Sequence, residues 1–69
     1  MGMAQPSVLL VEDNQTLRMV YRSQLERDGN RVFEAETAKA AQNHLALNHI
    51  DLMVLDIMLP DKNGLALLE

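Results

Sequence analysis

Apolar residues in this chain fall into two short unbroken runs and one weaker run, separated by stretches with helical spacing. The first run, Val8-Leu9-Leu10-Val11, follows Ser7 and stops at Glu12-Asp13-Asn14. A continuous run of that length suits a strand buried on both faces, so it predicts β1 over Ser7–Val11. Asn14 is a good helix cap, and Leu17, Val20, Tyr21 and Leu25 follow it at helical spacing. Arg18, Arg22 and Glu26 fall on another, solvated face, which predicts an amphipathic helix α1 closed by Gly29 as its left-handed residue. Val32 and Phe33 mark a shorter, more polar strand β2 over Arg31–Ala35, suited to a sheet edge. Thr37 is the next cap, and the alanine-rich stretch Ala38–Leu47 predicts α2, with Ala38, Ala41 and Leu45 on one side. Ile50–Asp56 predicts β3 around Leu52-Met53-Val54-Leu55. A loop over Met58–Gly64 follows, and Leu65-Ala66-Leu67-Leu68 reads as the first turn of α3.

Alternating strands and helices predict a parallel sheet with right-handed crossovers and helices on both faces. The two richest strands, β1 and β3, belong side by side with β2 flanking β1, giving the order 2-1-3. In that order the chain winds away from β1 in opposite directions. The carboxyl ends of β1 and β3 then flank a topological switch point, where open α/β sheets bind ligands.

Composition removes several alternatives. The 69 residues include no cysteine, which excludes disulfide scaffolds, Cys-ligated zinc, iron–sulfur clusters and thiol catalysis. Ten acidic against six basic side chains give a net charge of −4, and there are one Phe, one Tyr and no Trp. Nucleic-acid binding by this segment is therefore not expected, since it calls for clustered cations and stacking rings. No apolar run approaches the ~20 residues of a membrane span, and Met1-Gly2-Met3-Ala4 lacks a signal-peptide pattern. We expect a cytoplasmic protein with no membrane contact. Residues 1–6 read as a disordered start or an expression remnant.

The candidate chemistry lies at the strand ends. Glu12 and Asp13 follow β1, and Asp56 ends β3, 43 residues after Asp13. Paired strands about 5 Å apart would bring these carboxylates together. Like charges that close repel unless a cation intervenes, and an all-oxygen set suits a hard divalent ion such as Mg²⁺. Each cluster alone has a plainer reading, as a helix N-terminal charge or a solvated loop.

The pattern resembles the amino-terminal half of the receiver domain of two-component response regulators. Val8-Leu-Leu-Val-Glu12-Asp13-Asn14 is similar to the family's first strand and acidic pair. Leu52-Met-Val-Leu-Asp56 is similar to its third strand and phospho-accepting aspartate, and Leu59-Pro60-Asp61 with Gly64 to the loop after it. The resemblance implies a flavodoxin-like, CheY-like fold. It implies Asp56 as the nucleophile that takes a phosphoryl group from a sensor histidine kinase or a histidine phosphotransfer protein. Asp13 and Asp56 would ligate Mg²⁺ directly, Glu12 through water, and Met58 through its backbone carbonyl. Such a domain assists its own phosphorylation and is not a turnover enzyme.

The family's later switch residues are a Ser or Thr ending strand 4, and an aromatic residue and a Lys on strand 5. None is in this sequence, and neither Lys39 nor Lys62 is expected to stand in for that Lys. We therefore expect a truncated receiver domain over residues 7–69. Its β3 would present an apolar edge at Leu52–Leu55, open to self-association or poor solubility. His44 reads as a solvated helix residue, His49 as a helix-end residue, and Met19, Met53 and Met58 as packing. Asn14, Gln15, Arg18 and Arg22 lie where they could help dock a kinase. A calcium loop fails because Leu59 falls at its first position, and a P-loop hydrolase fails because no Gly-x-x-x-x-Gly-Lys-[Ser/Thr] precedes β3. A haloacid-dehalogenase-type phosphatase wants a second Asp where Met58 stands. The alternative from another class is a receiver-like protein–protein interaction module that never accepts phosphate.

Overall fold

The computed structural model describes residues 5–55; Asp56, Met58 and the expected start of α3 lie outside the described residues. Within them the chain runs β1 (Ser7–Val11), α1 (Gln15–Arg27), β2 (Arg31–Ala35), α2 (Ala38–Leu47) and β3 (Leu52–Leu55). The three strands form a parallel sheet of order β2-β1-β3, as the apolar pattern predicts. Val8, Leu9, Leu10 and Val11 are all buried, so β1 is the central strand and the centre of the core.

Side chains alternate across the sheet. Leu9 and Val11 pack with Ala35, Ala38 and Ala41, and Phe33, Met53, Leu55 and Ile50 close around them. This is the α2 side. The small side chains of Ala38 and Ala41 let the helix lie close against the strands, and both are fully buried. Leu45, expected on the same side, is 44% exposed. His44 takes the inward position of that last turn instead, its ring 5.6 Å from that of Phe33.

Val8 and Leu10 alternate to the opposite face, toward α1. That helix has no fully buried residue, and Leu17, Val20 and Tyr21, expected in the core, remain substantially exposed. Arg18 and Arg22 both reach Glu34, which ties the polar flank of α1 to β2. Tyr21, on the apolar flank, lies with Leu10, Val54 and Leu55 at the ends of β1 and β3.

Local signals set the helix ends. Asn14, in extended conformation, caps α1 by accepting from the Leu17 amide at 2.9 Å, and Thr37 caps α2 by accepting from the Ala40 amide at 3.1 Å. Gly29 adopts φ +93°, and the next amide, Asn30, donates back to the Leu25 carbonyl at 3.1 Å. A methyl group at position 29 would meet nothing within 4 Å.

Strand β3 starts at Leu52 rather than at the expected Ile50. Ile50 packs on the core from outside the ladder, and the Asp51 carboxylate accepts from the Ser7 amide at 2.7 Å. The Asp51 amide returns a bond to the Ser7 carbonyl at 2.8 Å, so β1 and β3 are clasped just before their ladder begins.

Two outcomes follow for stability. Gly29→Ala should cost about 1 kcal/mol in a denaturation midpoint, from backbone strain alone, because the space is open. The Ser7 amide, and second the His49 ring, hold the Asp51 carboxyl below its ordinary value. The ionised form is thus favoured by folding: its contribution is full above about pH 4 and fades as pH falls through the lowered value. Asp51→Ala should lower the melting temperature near neutrality, and the gap to wild type should close in acid melts. An unchanged gap would separate the clasp from the carboxylate's charge.

Candidate functional site

Strands β1 and β3 run in parallel register with Val11 opposite Leu55, so they reach their carboxyl ends at the same level. The residue after β1, Glu12, is only 4% exposed. Its amide donates to the Ala35 carbonyl at 2.9 Å, which extends the pairing of β1 with β2 by one residue. Its Oε2 accepts from the Asn14 amide at 3.1 Å, and Asn14 in turn caps α1. Asp13 lies between these two held residues and is exposed. A cavity of about 230 Å³ opens at the same strand ends, lined by Leu10, Val11, Glu12, Tyr21, Val54 and Leu55.

Of the predicted metal-binding set, Glu12 and Asp13 are therefore together at the end of β1. Asp56, the residue that follows Leu55 in sequence, and Met58 lie outside the described residues. Among the described residues no three acidic, histidine or cysteine side chains converge in a way that would hold a metal ion.

The structure adds a residue that the periodicity misplaced. Arg18 was expected on a solvated face, yet its side chain is only 15% exposed. Its Nη1 donates to the Glu12 carbonyl at 2.8 Å and its Nε to Glu34 Oε1 at 3.1 Å. Arg22, one turn on, shares Glu34 and also bonds Glu26 at 3.1 Å. Hydrogen bonds from Glu26 and then Glu34 push the Arg22 guanidinium above its ordinary value. Both arginines are thus engaged inside the domain and the Asn14 side chain caps α1, while Gln15 is exposed. The signal was present in β2. Glu34 alternates with Phe33 and Ala35, so it must point to the α1 face, where a half-buried carboxylate calls for partners.

His44 is likewise not a solvated residue. It is half-buried, with Nε2 2.9 Å from the Glu34 carbonyl. A carbonyl oxygen only accepts, so Nε2 carries the proton. His49 is an exposed helix-end residue as expected, bonded to Asp51 Oδ1 at 2.9 Å.

Comparison with known proteins agrees with this arrangement. The family model for the response regulator receiver domain matches residues 8–69. The KDP operon transcriptional regulatory protein KdpE of Escherichia coli K12 is 48% identical over 59 residues, 86% of this chain and 26% of that protein. The transcriptional regulatory protein PhoP of the same strain is 41% identical over 62 residues, 90% of this chain and 28% of that protein. Among solved structures, the non-phosphorylated HemR receiver domain from Leptospira biflexa superposes with a TM-score of 0.84 at 44% identity, covering 91% of this chain and 51% of that one. A response regulator receiver protein from Pseudomonas putida gives 0.86 at 32% identity, covering 94% and 55%. The chain thus spans about a quarter of those curated relatives and about half of those receiver structures. Receiver domains as a family are phosphoproteins that bind Mg²⁺ and interact with histidine kinases. The β2-β1-β3 sheet, the acidic pair leaving β1 and the match over residues 8–69 agree, and the chain belongs to the receiver-domain family of two-component response regulators.

Proposed function

We propose that this chain accepts a phosphoryl group on Asp56 from a phosphohistidine of a sensor kinase or phosphotransfer protein. The observation that carries the reading is the parallel register of Val11 with Leu55, which brings the segments leading into Glu12-Asp13 and into Asp56 to one level of the sheet. In the transfer, a carboxylate oxygen of Asp56 attacks phosphorus, the P–N bond breaks and the imidazole leaves with the bond's electron pair. Transfer of this kind is mainly a matter of positioning and charge neutralisation.

The described donors suit a hard divalent cation. They are oxygen only, Glu12 is held from three sides, and Asp13 projects from a loop fixed on either side of it. On this reading Asp13 and Asp56 ligate Mg²⁺ directly, Glu12 acts through water, and the Met58 carbonyl completes the set. An ion held by these residues would supply positive charge between the carboxylates and the incoming phosphoryl oxygens. The domain acts as a phosphorylated signalling element in the cytoplasm rather than as a turnover enzyme. The edge of β3 facing away from β1, where Leu52 is 57% exposed, is where a second copy would pair.

The deciding experiment treats the protein with Mg²⁺ and either acetyl phosphate or beryllofluoride, comparing wild type with Asp56→Ala. Mass spectrometry should find one added phosphoryl group in wild type and none in the variant; a label that survives Asp56→Ala removes the assignment. Asp13→Asn should need at least roughly tenfold more Mg²⁺ for half-maximal beryllofluoride binding, because a direct ligand loses its charge.

A further inference from the structure

Three bonds fix Glu12 in the Glu12-Asp13-Asn14 turn, and two of them come from outside the loop. The Glu12 amide is fixed by β2 through Ala35, its carboxylate by the Asn14 amide, and its carbonyl by Arg18. Arg18 reaches that carbonyl with Nη1 while its Nε is held by Glu34. The guanidinium is thus a rigid bridge from β2 to the peptide between Glu12 and Asp13. This is a use that the planar fork of arginine permits and a lysine does not.

The carbonyl of Glu12 belongs to the same peptide unit as the amide of Asp13. Fixing it sets the direction in which Asp13 leaves the loop. Glu34 does a second thing. With Glu26 also paired to Arg22, two carboxylates face two guanidiniums, so the cation nearest the acidic turn acts as a hydrogen-bond donor with its charge offset, and competes less with a bound cation.

We propose that Arg18 is a positioning residue for the Mg²⁺-binding turn, acting through the Glu12 carbonyl and itself oriented by Glu34. The proposal rests on the phosphoacceptor reading for its purpose but not for its test. Arg22 supplies the control: it sits on the same helix and bonds the same carboxylate, yet makes no bond to the turn.

The experiment compares Arg18→Ala, Arg18→Lys and Arg22→Ala in the full chain. Mg²⁺ affinity is read by calorimetry on the unphosphorylated protein, and amide hydrogen exchange is followed at Glu12 and Asn14. Arg18→Ala should weaken Mg²⁺ binding by roughly tenfold, as loss of a partner that orients a metal ligand does. It should also speed exchange at both amides, while saturating Mg²⁺ restores beryllofluoride capture. Arg22→Ala should stay close to wild type in Mg²⁺ affinity even where its melting temperature falls.

Equal Mg²⁺ affinities in Arg18→Ala and Arg22→Ala would overturn the proposal, since a purely structural role moves both alike. If Arg18→Ala does not fold, Arg18→Lys decides. It keeps the charge and a single donor nitrogen but not the fork, so weakened affinity supports the proposal and wild-type affinity overturns it. Absence of beryllofluoride capture by wild type would count against Asp56 as acceptor, while the calorimetry and exchange would still decide the role of Arg18.

Discussion

Val8, Leu9, Leu10 and Val11 can be buried together only because β1 is paired on both edges and covered on both faces. A parallel strand has no hairpin to close it, so each neighbour must arrive through a helix, and each crossover places its helix on one side of the sheet. The rest of the fold answers that requirement. Helix α2 supplies alanines thin enough to lie against Leu9 and Val11, α1 covers the other face, and the bonds between Asp51 and Ser7 hold β3 alongside. The acidic turn stands where it does because β1 has to end there: Glu12-Asp13-Asn14 is where the buried run meets water.

Much of this was legible in the chain. The bounds of β1, β2 and α2 follow from where apolar runs stop and where Asn14 and Thr37 offer caps, since these are local choices with local causes. The parallel order was readable from the contrast between two apolar strands and one polar one. What periodicity misjudged was how deeply each flank of α1 is buried. A hydrophobic count buries Leu17, Val20 and Tyr21 and leaves Arg18 solvated, yet those three stay partly exposed while Glu34, sixteen residues after Arg18, holds the guanidinium in. His44 escaped for the same reason: a polar side chain is read as solvated unless its distant acceptor is known, and the acceptor is a backbone carbonyl on β2. The part of the site carried by Glu12 and Asp13 was visible as an acidic pair at a strand end. The bonds that hold that pair were not, because they reach across elements.

The relation to the receiver family fits this division. The feature shared with those structures is the sheet order, a matter of chain topology rather than of individual side chains. A receiver structure at 44% identity superposes with a TM-score of 0.84 and one at 32% with 0.86, so the fold is kept as identity falls. Architecture of this kind tolerates extensive change at exposed positions provided the buried strand and its two covering helices stay compatible.

Glu34 gives the fold an unusual kind of indivisibility. Its carboxylate holds two residues of α1 on one side of the sheet, and its carbonyl holds His44 of α2 on the other. A chimera that imported α1 from another receiver while keeping this β2 would bring in a helix chosen for a different strand. One that replaced β2 alone would remove the carboxylate that both guanidiniums share. The exchangeable module in this domain is therefore not a helix or a strand but the whole stretch from the acidic turn through β2, and recombination or design that respects element boundaries would still cut through it.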